Sequence, residues 1–204
     1  WEVAAELGGE RPSQSAETAL RQIALARVDR LEAPCLEVAQ VAAHIGESFS
    51  VGLLERIVER EKGELLDQLD RLVLEDVLEA GEGDVHGVTM RFGQRALREV
   101  LIENTAPSDA RRYSELIVAR LADAPAGGAP VTFAKHLIML GRAAEAAEVA
   151  AAAMQADERP PTPLVEVLRQ ALAATEPGSA ASDGGHPPLG LDRWCCLTER
   201  LASV

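Results

Sequence analysis

The residues of this chain with the most obvious capacity for chemistry sit near its end, where Trp194 precedes the adjacent pair Cys195 and Cys196. A thiolate can act as a nucleophile or bind a soft metal, but neighbouring cysteines rarely bridge and offer poor tetrahedral geometry by themselves. Packing of Trp194 and one thiol on a helix is the expectation here. His44, His86, His136 and His186 are widely spaced, with no H-E-x-x-H or C-x-x-C arrangement. His136 lies between apolar neighbours and reads as a helix-contact residue, whereas His44 reads as a favourable end charge or a surface residue. Acidic neighbours such as Glu75 and Asp76 read as solvated, since a catalytic carboxylate needs burial or a charge partner to shift its pKa. There is no G-x-x-x-x-G-K-[ST] phosphate loop and no G-x-G-x-x-G fingerprint, and the pairs Gly8–Gly9, Gly127–Gly128 and Gly184–Gly185 sit in turn-like surroundings. No nucleophile, base and orienting group combine into a set, so no catalytic, cofactor-binding or metal residue is predicted, and the chain reads as a non-enzyme.

The bulk composition narrows the partners. The formal charge of −13 weighs against nucleic acid and anionic membrane, because phosphate binding needs clustered Lys and Arg. Apolar residues make up 47% of the chain but aromatics only 3%, an Ala, Leu and Val mass that suits close-packed helices. No apolar run approaches the roughly 20 residues of a membrane span, and nothing reads as a signal peptide. Three cysteines, one of them the isolated Cys35, make no disulfide framework, so a reduced, cytoplasmic setting is expected. The first residue is Trp1 and not Met, which suggests a piece of a longer protein.

The elements that would position these residues follow from periodicity. Residues 1–15, with Gly8, Gly9 and Pro12, read as the end of an upstream segment or a linker. Leu20, Ile23, Ala24, Val28 and Leu31 share one helical face, and Pro34 should stop that helix. Val38, Val41, Ala42 and Ile45 form the next apolar face, closed by Gly46. Ser50 is a candidate N-cap for a helix carrying Val51, Leu54, Ile57 and Val58. After Gly63 a further helix points Leu65, Leu66, Leu69, Leu72 and Val73 inward. The period then drops to two around a turn at 81–84, with Val88, Met90 and Phe92 alternating. Helices followed by a hairpin are the order of elements in a winged helix-turn-helix. The predicted fold is therefore mainly α: a winged helix of three helices and a β-hairpin over 16–105, then tetratricopeptide-like helical hairpins over 106–176. In the latter, Tyr113, Leu116, Ile117 and Leu121 share a face. Two helices meet around Gly141, where Ala134, Ala144, Ala147 and Ala151 permit close approach beside Leu137 and Ile138. Residues 177–190 read as a flexible linker and 191–204 as a terminal helix.

A winged helix invites a DNA-binding reading, and that remains the alternative function. The helix before the hairpin, however, carries Glu64, Asp67, Asp70, Glu75 and Asp76 against Arg71, and the wing carries Glu79, Glu82 and Asp84 before Arg91. Carboxylates at those places repel phosphates.

The order of pieces "RVDRL" (27–31), "LLDQLDRLVLEDVLEAGEGDVHGVTMRF" (65–92), "FGQRALREVLIEN" (92–104), "ARRYSELIVARLAD" (110–123) and "FAKHLIMLGRAAEAAEVAAAAM" (133–154) resembles the region that follows the nucleotide-binding domain in STAND-type (AAA-related) signalling ATPases. That group includes large ATP-binding transcriptional regulators and parts of some bacterial serine/threonine kinases and adenylate cyclases. Such proteins show an R-x-D-R-L helix, a small winged helix, an F-R-H-x-L-x-R-E-x-L-Y motif and tetratricopeptide repeats. The chain departs from that motif at Gln94, where the family has His, and at Ile102, where it has Tyr. The resemblance implies a non-catalytic regulatory module that relays the state of an upstream ATPase domain to a protein partner on the helical repeats, with no cofactor in this chain. Arg98, Glu99, His136 and Arg142 are the residues expected to contact partners or neighbouring domains.

Overall fold

The computed structural model describes residues 14–58, 60–81, 88–122, 129–156, 162–175 and 195–198. The order of elements is α1 (Gln14–Val28), α2 (Ala33–Ile45), β1 (Ser48–Ser50), α3 (Val51–Ile57), α4 (Lys62–Leu74), β2 (Leu78–Ala80), β3 (Thr89–Phe92), α5 (Arg95–Glu103), α6 (Pro107–Ala122), α7 (Pro130–Met139), α8 (Ala143–Ala156) and α9 (Thr162–Ala174). The chain is thus mainly helical, with one small antiparallel sheet. No helix among the described residues is long and apolar enough to cross a membrane. The turn at 81–84 lies largely outside the described residues, as do 1–13, 176–194, His86, His186, Trp194 and the glycine pairs.

Local signals explain most boundaries. Pro34 does not stop α1, which ends at Val28; it opens α2 instead, where a missing N–H costs no helical hydrogen bond. Gly46 closes α2 and donates its N–H to the Ala42 carbonyl at 3.2 Å. Ser50 caps α3, its Oγ accepting from the Leu53 N–H at 3.2 Å. Helices α4 and α7 end in the same stop. Asp76 (φ 53°) and Gly141 (φ 75°) adopt the left-handed conformation, and the next N–H reaches back to Leu72 O at 2.9 Å in one case and Leu137 O at 2.8 Å in the other.

The sheet has one strand more than the expected hairpin. β3 lies in the middle, with β2 on one side and β1 on the other, both antiparallel. Phe49 of β1 lies opposite Met90, and its ring meets Phe92 at 6.3 Å between centroids. β1 spans three residues, too few to show a period of two, and so reads in the sequence only as the approach to the Ser50 cap. Met90 and Phe92 are buried while Val88 is 56% exposed, so the alternation predicted for the wing begins one step later.

Two apolar clusters result. The first joins α1 to α6 and the sheet around Val38, Leu54, Leu72, Leu78, Leu97 and Leu101. The second joins α6 to α9 around Leu137, Ala147, Ala150, Leu168 and Ala171, and it also takes Leu197. Tyr113, Ile117 and Leu121 of α6 belong to the first cluster and Val118 to the second, while Phe133 packs against both. The packing seam therefore runs along α6, whereas the sequence places a boundary between residues 105 and 106.

Three inward assignments need correction. Leu20 and Ile23 of α1 are 45% and 49% exposed, because only the second half of that helix, through Ala24 and Val28, packs against the first core. Leu66 and Val73 of α4 also face outward. The buried stripe of α4 is Leu65, Gln68, Leu69 and Leu72, and a helix resting on one layer cannot bury both flanks of so wide an apolar arc. At the end of the chain, Cys195 and Cys196 are exposed; Leu197, not a thiol, fills the core from that helical turn.

Candidate functional site

The last carbonyls of a helix have no partner within it, so a helix ending in the interior must find donors elsewhere. α2 ends between the two cores, and its final turn collects donors from two other helices. Arg98 of α5 donates its Nε–H to the Ala43 carbonyl at 2.9 Å. His136 of α7 places Nε2 at 2.9 Å from the His44 carbonyl. With Gly46 N–H on Ala42, three successive carbonyls are satisfied from three different parts of the chain.

The partners set the protonation of His136. A carbonyl only accepts, so Nε2 carries the hydrogen, and in the neutral ring Nδ1 must accept. Its partner is the Ser114 hydroxyl of α6 at 3.0 Å. That hydroxyl also lies 2.8 Å from the Ala110 carbonyl, but its one hydrogen serves one acceptor at a time. Burial holds the imidazole pKa down to about 4, with the hydrogen bond to the His44 backbone opposing and nearby positive charge adding to the effect. At neutral pH the ring is therefore uncharged, and Ser114 donates to it. Protonation would reverse that bond, turning the hydroxyl toward Ala110 O.

His44 completes the cluster. It is buried and packs its ring against Tyr113 at 5.6 Å, while the Arg112 guanidinium lies 5.1 Å from the Tyr113 ring centre on its other contact. Burial, then the charge of Arg98, lowers its pKa. The expected end charge at His44 is thus corrected: desolvation keeps the ring neutral, and its contribution is packing. Its Nε2 is buried with no hydrogen-bond partner among the described residues. Arg98 is half-buried and its own pKa is lowered chiefly by burial, with Glu47 the main opposing charge. Together the groups form a polar hub that holds four helices in register; His136 through Nε2 and Arg98 through Nε each bond a backbone carbonyl of α2.

Of the four residues expected to contact partners, the structure brings two together. Arg98 and His136 meet at adjacent carbonyls of α2. His136 is only 3% exposed, so its expected role at a partner surface is corrected to an internal one: both ring nitrogens are already engaged inside. Glu99 lies on the outer side of α5 and pairs with Arg95 at 2.7 Å. Arg142 lies between the turn at 140–141 and α8 and grips Glu145 through two bonds of 2.7 and 2.6 Å. Ser114 escaped the sequence reading, although a hydroxyl between Tyr113 and Ile117 on the apolar face of a helix is a visible irregularity. Gln94, singled out by the family resemblance, precedes α5, and its Oε1 is buried without a partner among the described residues.

The DNA-binding alternative depends on Arg71 and Arg91. Arg71 pairs with Glu32 at 2.6 Å, and Arg91 pairs with Glu79 across the sheet at 2.7 Å. Each cation already has a carboxylate, while Asp67 and Asp70 remain exposed on α4. Among known proteins the chain matches no family model, no curated protein and no solved structure.

Proposed function

We propose that the chain is a non-catalytic regulatory module in which a winged helix is coupled to tetratricopeptide-like helices, relaying the nucleotide state of an ATPase domain to a protein partner. The winged-helix reading is supported by the sequence of elements α2, β1, α3, α4, β2 and β3 and by the sheet order β1-β3-β2. The tetratricopeptide-like reading is supported by α6 to α9, where small residues such as Ala134, Ala147 and Ala151 are fully or nearly fully buried between helices. The single observation that carries the relay is the hub: α5, which follows the wing, and α7, which begins the alanine-rich core, hold adjacent carbonyls of the same helix end. A displacement of α2 relative to α5 is therefore felt at α7 through hydrogen bonds and not only through apolar packing.

Two measurements test the two parts of this reading. The ATPase half expects a G-x-x-x-x-G-K-[ST] motif encoded upstream, roughly 200 residues away by ordinary domain size. Flanking sequence without one would sink that half. The relay half expects Arg98→Ala to speed amide exchange beyond its own contact, in α7 and α8 as well as at the end of α2, by about tenfold for the loss of roughly 1.5 kcal/mol. Faster exchange confined to α2 and α5 would overturn it.

A further inference from the structure

Helix α4 has an outer face that the described residues leave uncovered. At 100° per residue, Gly63, Leu66, Asp67, Asp70, Val73 and Leu74 fall within roughly 120° of arc, away from the buried stripe. Leu66, Val73 and Leu74 are 43%, 37% and 83% exposed, an unusual run of large apolar side chains on one exposed helix. Asp67 and Asp70 lie among them with no ion-pair partner among the described residues, unlike Arg71 and Glu64, which are paired. A Cβ at Gly63 would meet nothing within 4 Å among the described residues, and a glycine on this face lets another backbone come close. At the C-terminal end of α4 the surface continues into a groove of about 380 Å³ between α4 and α1, whose lining includes Leu74 and Ile23 and the charged residues Arg27, Arg30, Glu75 and Asp76.

We infer that the outer face of α4 is a docking site for a basic amphipathic helix of a partner protein. Its apolar stripe would cover Leu66, Val73 and Leu74, its Lys or Arg residues would flank Asp67 and Asp70, and one apolar side chain would enter the groove beside Ile23. The charge pattern selects this occupant. Two unpaired carboxylates between leucines disfavour a second copy of the same acidic face, which would set aspartates against aspartates. They also disfavour an acidic helix and a phosphate backbone. At the groove, Arg27 (Nη1 3.1 Å from the Asp76 carbonyl) and Arg30 (Nε 3.1 Å from the Ala26 carbonyl) stand beside Glu75 and Asp76, so opposite charges offset one another there, and the basic residues of the ligand belong at the Asp67 and Asp70 end. This inference is independent of the ATPase relay.

A displayed library tests it. Helical peptides of about 18 residues, each with a leucine stripe at helical spacing, would carry flanking positions randomised among basic, acidic and neutral residues and be selected on the whole chain. Peptides with Lys or Arg beside the stripe are expected to be recovered. The double variant Asp67→Lys/Asp70→Lys should weaken them by about tenfold, as expected for reversing two rim charges, and should recover acidic peptides in their place. Leu74→Asp should abolish binding of both sets; all three positions are exposed, so folding is checked by an unchanged thermal transition. Recovery of neutral or acidic peptides by the unaltered chain, no recovery at all, or retention on Leu74→Asp would each overturn the inference. So would a dimer in sedimentation equilibrium that Leu74→Asp dissolves, since that assigns the face to a second copy.

Discussion

The two apolar cores of this chain are built from different materials. The first uses large side chains, with Leu54, Leu72, Leu78, Leu97 and Leu101 filling the space between helices and a three-stranded sheet. The second leans on alanine: Ala134, Ala146, Ala147 and Ala150 are wholly buried, so helix backbones come together with little side chain between them. A large side chain protects a core against expansion but leaves a cavity when cut back. A small one leaves no cavity but tolerates no growth. The same fold therefore contains one region sensitive to losing volume and one sensitive to gaining it, meeting at a polar hub.

Opposite substitutions should separate the two. Leu101→Ala removes a fully buried side chain from the first core and should cost about 3–4 kcal/mol, by the usual range for buried leucines. Ala147→Leu should cost about 2 kcal/mol in the second core by overpacking, and Ala147→Gly less than Ala147→Leu. Urea unfolding with unchanged slope reads each value. If Ala147→Leu were neutral, the second core would hold unfilled space and the contrast would fail.

The hub should respond to pH while the cores do not. The ordinary imidazole pKa of 6.5 falls to about 4 in folded His136, so between those values the unfolded chain binds the extra proton. Stability from this group is complete above about pH 6.5 and declines as the pH drops toward 4, by about 2 kcal/mol between pH 7 and pH 5. The lowered pKa of His44 acts with the same sign. Denaturation of the unaltered chain and of His136→Phe at both pH values measures the difference. The variant should start less stable and lose less on acidification, and equal losses would show that His136 is not the titrating group.

How much of this was legible in the sequence depends on whether a feature is local. The apolar face of α2, the Ser50 cap and the helical pair around Gly141 were legible, since each rests on spacing within one segment. β1 was not, because three residues carry no period and its identity comes from pairing with a strand about 40 residues on. The outward turn of Leu66 and Val73 was likewise hidden: periodicity finds an apolar arc but not which edge of it a neighbour covers. At the hub, Arg98 and His136 were named as contact residues, but their common target is backbone. A carbonyl at a helix end has no residue type to mark it, so neither the partner nor the part played by Ser114 could be read from spacing.

The smallest effects concern the stop shared by the two regions. α4 and α7 both end with a left-handed residue followed by an N–H that reaches back into the last turn. The second region uses Gly141, which adopts φ 75° without cost, and a Cβ there would meet nothing within 4 Å. Gly141→Ala should thus cost about 1 kcal/mol from backbone conformation alone, with no steric addition. The first region uses Asp76 at φ 53°, a residue that tolerates this conformation better than most but not as freely as glycine. Asp76→Gly relieves that residual strain and gives back part of the gain through a more flexible unfolded chain, so a net stabilisation of about 0.5 kcal/mol is expected. Thermal unfolding of the two variants beside the unaltered chain reads the pair. A destabilised Asp76→Gly would mean that the aspartate side chain itself secures the end of α4, and that the two stops, alike in backbone, are held by different forces.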